Sequence, residues 1–180
     1  MADPDLRRHK LVLRFRQLDT NGDGYLDRDE YLSLPGRVAL AHGQSDSGPK
    51  VEQATGTMAT LWEQMLRHSD GNDDGRISEA EFVRAFEVEP AMLAAADQSW
   101  RQLFAIADGN DDGYLDRDEY VRLLTTMRVS AADAAVSFDS IDLDGDGRVA
   151  PDEYTRAVYE FFVGAASESL GANVFGALRP

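Results

Sequence analysis

Asp108-Gly109-Asn110-Asp111-Asp112-Gly113-Tyr114-Leu115-Asp116-Arg117-Asp118-Glu119 is the stretch on which the reading of this chain turns. Side-chain oxygens stand at positions 1, 3, 5 and 12 of the twelve, with a glycine at 6 and an aliphatic residue at 8. Such spacing wraps a loop around a hard cation that takes six to eight oxygens in loose geometry. Glycine at position 6 lets the backbone turn where a Cβ would clash. The same frame recurs at residues 19–30, 70–81 and 142–153, each closing on glutamate. One match would pass as an accident of an acidic turn; four in one chain do not.

The third loop assigns side-chain ligands to Asp108, Asn110 and Asp112, a backbone carbonyl to Tyr114, a bridging water to Asp116 and two oxygens to Glu119. The corresponding positions are Asp19, Asn21, Asp23, Tyr25, Asp27 and Glu30 in loop one, and Asp70, Asn72, Asp74, Arg76, Ser78 and Glu81 in loop two. In loop four they are Asp142, Asp144, Asp146, Arg148 and Glu153. A bidentate glutamate brings the ligand count to about seven, which favours Ca2+ over six-coordinate magnesium and predicts up to four calcium ions. Asp27, Ser78 and Asp116, each three residues before its glutamate, also have the spacing of a helix capping box. Within the twelve-residue frame the metal reading takes precedence. Loop four has Ala150 at position 9, which holds no water and caps no helix, so a weaker or faster-exchanging site is expected there. The aliphatic residues at position 8, Leu26, Ile77, Leu115 and Val149, predict short antiparallel pairing of loop one with two and of three with four.

With 180 residues, a net charge of −15 and a pI near 4.4, the chain repels nucleic acid and anionic membrane and attracts cations. It has no cysteine, so disulfides and thiolate metal sites are excluded. No run approaches the roughly 20 apolar residues of a membrane span. The acidic start lacks a secretory signal, and Ala2 in place of glycine excludes N-myristoylation. A soluble, cytoplasmic protein is expected. Ligand positions account for 15 of the 33 acidic residues; without ions these repel one another, and four calcium ions would move the charge from −15 to −7. Calcium is therefore expected to act as a folding ligand.

Apolar spacing predicts an all-α fold in which helices flank each loop. Leu11, Phe15 and Leu18 mark the first entering helix. Trp62, Met65 and Leu66 mark the second, and Trp100, Leu103 and Phe104 repeat that spacing in the third. Pro35-Gly36 should end or kink the first exiting helix, with Val38 and Ala41 continuing its apolar face. The loops start at 19, 70, 108 and 142, so the first interval carries an insertion around 35–56, within which residues 43–49 read as a flexible connection. Pro90 should start the third entering helix after a junction too short for an extended central helix, and Ser130 should cap the fourth. The expected organisation is an N-terminal pair at 1–88, a C-terminal pair at 89–163 and a tail at 164–180. Leu170, Val174, Phe175 and Leu178 would hold that tail on the body. His9, His42 and His68 have no adjacent nucleophile or ligand pattern and read as solvated or packing residues, so no enzyme is expected.

The four loops identify the chain as resembling the EF-hand superfamily over nearly its full length. The unequal spacing, the Pro90 junction and the aromatic core are similar to the sarcoplasmic calcium-binding proteins and their bacterial calerythrin-type relatives. The second loop, often degenerate in that group, is intact here from Asp70 to Glu81. The resemblance implies a compact monomeric calcium buffer or transporter with no obligatory protein partner. The alternative is a sensor that opens an apolar groove for a target protein. Five methionines, counting Met1 and otherwise scattered over several helices, favour the buffer.

Overall fold

Helix α1 (Pro4–Leu18) leads into the first loop because Leu11, Phe15 and Leu18 share one helical face, and all three are buried. The computed structural model describes residues 4–88, 90–164, 171 and 174–176. After loop one come α2 (Arg28–Leu32) and α3 (Leu34–Ala41), broken at Ser33 just ahead of Pro35. α4 (Pro49–Ser69) and α5 (Glu79–Val88) flank loop two, α6 (Pro90–Ala107) and α7 (Arg117–Thr126) flank loop three, and α8 (Ala131–Ile141) and α9 (Pro151–Val163) flank loop four. Ser130 caps α8 through the amide of Asp133, as expected. The fold is mostly helical, with two short antiparallel strand pairs. β1 (Tyr25–Leu26) pairs with β2 (Ile77–Ser78), and β3 (Leu115–Asp116) with β4 (Arg148–Val149). Leu26 faces Ile77 and Leu115 faces Val149, the position-8 partners.

One aromatic chain runs through all four hands. Phe15 meets Phe82 edge-on at 5.8 Å, Phe82 meets Phe86 at 4.9 Å, Phe86 meets Phe162 at 5.1 Å, and Trp100 stacks on Phe162 at 5.2 Å. Aromatic pairs at such distances add about 0.5–1.5 kcal/mol each to area burial. Basic residues of α1 close the ends of distant helices. Arg7 donates to the carbonyls of Phe86 and Phe162, and the fully buried Lys10 donates to Gly164 O, where cations favour helix C-termini.

Two expectations need correction. Ala41 is exposed, and α3 buries Leu34, Pro35, Val38 and Ala39 instead, because the break at Ser33 resets the helical phase. The segment at 43–49 is pinned by its flanks and by its own Gln44, which donates to Ile106 O at 2.8 Å. His42 lies between Val38 O and Glu119 O, and Lys50 reaches Ala105 O and Asp111. Composition spoke for flexibility, but His42, Gln44 and Lys50 each reach a backbone carbonyl of the third hand. In the tail, Val174 and Phe175 are buried and Gln17 donates to Phe175 O. Leu170 and Leu178 lie outside the described residues.

Candidate metal centres

Each loop is tied by its own first aspartate, whose two oxygens accept amides from the following turn. Asp19 accepts from Gly22 and Gly24 at 2.7 and 3.0 Å; Asp70 from Asp74 and Gly75; Asp108 from Asp112 and Gly113; Asp142 from Gly145, Asp146 and Gly147. The next two positions each accept the amide two residues on. Asn21, Asn72, Asn110 and Asp144 do so at position 3, and Asp23, Asp74, Asp112 and Asp146 at position 5. These bonds fix the rotamers of the predicted ligands while leaving further lone pairs for an ion. In loop four the ligand oxygens of Asp142, Asp144 and Asp146 all lie within 4.8 Å of one another.

The closing glutamates bridge the two ends of each loop. Glu81, Glu119 and Glu153 accept the position-2 amides of Gly71, Gly109 and Leu143 on one oxygen and the position-9 amides of Ser78, Asp116 and Ala150 on the other. Glu30 differs. Its Oε1 takes the amides of Thr20 and Asn21, while Oε2 is buried without a partner. A buried carboxylate oxygen left unpaired is costly, and a cation coordinated at that oxygen offsets the cost. The cap and ligand readings of the glutamates coexist: Asp116 and Glu119 form a reciprocal capping box, and Asp27 and Ser78 accept the amides of Glu30 and Glu81. Ala150 has the same extended backbone, φ −76° and ψ 156°, but no side-chain oxygen for the Glu153 amide.

Two features escaped sequence reasoning. Position 4 is left-handed in every loop, with φ of 71–73° at Gly22 and Gly145 and of 56° and 58° at Asp73 and Asp111. The signal was there: only glycine and aspartate, both tolerant of that region, occupy the position. Position 7 carries a cross-loop pair, Arg76 over the Tyr25 ring at 4.0 Å and Arg148 over Tyr114 at 5.6 Å. Those pairs follow from the strand register, which places Tyr and Arg at equivalent positions of paired loops. A further tie joins the halves, since Arg128, itself at φ 66°, donates to Asp19 O at 2.6 Å.

A family model described as the EF-hand domain pair matches residues 8–87 and 97–159. The chain is 26% identical to calerythrin of Saccharopolyspora erythraea over 169 residues, covering 89% of this chain and 94% of calerythrin. It is 28% identical to the β chain of a sarcoplasmic calcium-binding protein of Penaeus sp., covering 82% of this chain and 62% of that one. Among solved structures, a Streptomyces coelicolor calcium-binding protein studied for prokaryotic calcium-mediated regulation superposes with a TM-score of 0.76 at 24% identity, covering 89% of this chain and 99% of that one.

Proposed function

This chain belongs to the EF-hand family, a family of calcium-binding proteins, and on that premise we propose that it is a calcium buffer or transporter with up to four sites. The four sites are the loops at 19–30, 70–81, 108–119 and 142–153, with the ligands assigned above. Loops one and two form one working pair within 1–88 and loops three and four the other within 89–163. The carrying observation is that the apolar faces of the hands are spent on one another. Exposed large apolar residues among those described are Leu40, Tyr114, Val136, Leu143 and Tyr159, each on a separate element. A buffer needs no more surface than this, whereas a sensor must offer a partner an apolar face. The regulatory reading has one support, the fold shared with the Streptomyces coelicolor protein named above.

The test is ANS fluorescence during calcium titration of the metal-free chain. Emission falls on loading if calcium draws a loose core shut, as a buffer requires. A rise on loading would overturn the buffer in favour of the sensor.

A further inference from the structure

Away from the loops, a cavity of about 30 Å3 sits within the aromatic core, walled in part by Leu34 and Met58. Four polar residues line it: Arg14, Tyr31, Ser99 and Trp100. All four are more than nine-tenths buried. The Arg14 guanidinium stacks on Phe175 at 4.5 Å and, among the described residues, makes one long hydrogen bond, to Gln17 Oε1 at 3.5 Å. Among the described residues no carboxylate pairs with it; its ionisable neighbours are Tyr154, Tyr31 and a second cation, Arg37. Burial lowers its pKa to about 10, so it stays charged at neutral pH. The Ser99 hydroxyl is buried without a partner.

These groups share one property. Arginine and the tryptophan N–H only donate, the hydroxyls have protons to give, and no carboxylate stands among the wall residues. A buried, unpaired cation is costly and is ordinarily matched by an anion. None of the described carboxylates stands there, so the charge is open to an outside anion.

We propose that this cavity binds a small organic monoanion, a carboxylate on a short apolar body, with its head at Arg14 and its carbon chain against the aliphatic and aromatic wall. The volume suits the carboxylate head directly. The chain needs room that Met58 can yield, because its unbranched thioether repacks at little cost.

The test uses the calcium-loaded full chain, kept in excess calcium, and follows tryptophan emission while sodium butyrate, 1-butanol or sodium chloride is added at constant ionic strength. Butyrate is expected to give a saturable change with a midpoint at least about tenfold below that of butanol, and chloride none. Arg14→Met, which keeps the length and apolar stem, should bring butyrate and butanol within about threefold of each other. Ser99→Ala is the milder variant should the first fail to fold, and should weaken butyrate by about three- to tenfold. Any of four results overturns the proposal: no saturable butyrate signal, which leaves a cavity for water; equal midpoints for butyrate and butanol; a chloride response equal to that of butyrate; or unchanged butyrate binding in whichever variants fold.

Discussion

Position 9 of loop four offers a perturbation whose two consequences separate cleanly. Ala150 has the extended backbone of a helix N-cap, close to the φ −69° and ψ 173° of Asp116, so a side chain with an oxygen fits there without backbone movement. In loop three Asp116 Oδ1 accepts the Glu119 amide at 2.8 Å; the Glu153 amide has no such acceptor. Ala150→Ser supplies the cap without a charge, worth about 1 kcal/mol in helix α9. Ala150→Asp supplies the cap and a negative charge beside Asp142, Asp144, Asp146 and Glu153. Without calcium, repulsion by those four carboxylates cancels most of the roughly 1 kcal/mol, leaving stability nearly unchanged. With calcium the ion reverses the sign of the interaction, and the full cap is recovered together with a further charge attraction of about the same size. By linkage, the difference between the two conditions is a gain in affinity, about fivefold to thirtyfold at site four for the aspartate and within about twofold for the serine. Denaturant midpoints with calcium and with chelator, set beside competition titrations against a chromophoric chelator, measure both quantities. Equal affinities for Ala150→Asp and Ala150→Ser would show that charge at position 9 does not act on the ion, and no stability gain from the serine would refute the capping account.

Glu119→Gln should remove one site from the titration and leave the others nearly intact; an unchanged count of tight sites would contradict the bidentate assignment. Gly171 lies so close to α9 that an added Cβ would stand 2.1 Å from Ala157 O. Gly171→Ala should therefore push the tail, with Val174 and Phe175, off α9 and cost about 2–4 kcal/mol in denaturant unfolding, with calcium stoichiometry unchanged, and a loss below about 0.5 kcal/mol would contradict that packing. Arg128→Ala removes the donor to Asp19 O across the two halves and should cost about 1–2 kcal/mol and weaken loop one before loop three, as amide chemical shifts during calcium titration would reveal.

The loops were legible because everything that shapes them lies within twelve residues. Asp108 and Gly113 find their partners inside the loop, so spacing alone carries the geometry. Pairing was legible too, since only an aliphatic residue suits position 8, and Leu115 does face Val149. Non-local polar contacts left no such trace. Nothing in the composition of 43–49 announces that Gln44 will cap Ile106 O, nor does the amphipathic pattern of α1 single out Arg7 as the residue that closes α5 and α9. Arg14 shows the limit most clearly. A basic residue in a charged helix reads as solvated, and only the assembled core places it under Phe175.

The two lysines have a chemical consequence. Lys10 is sealed in the seam between α1 and the end of α9, whereas Lys50 keeps 42% of its side chain open to solvent while holding Asp111. All remaining side-chain positive charge is guanidinium, which mild acylating reagents leave untouched. An amine-directed label therefore meets one shut lysine and one open one in the same molecule. The ratio of labelling at residue 10 to residue 50 becomes an internal clock for the opening of that seam.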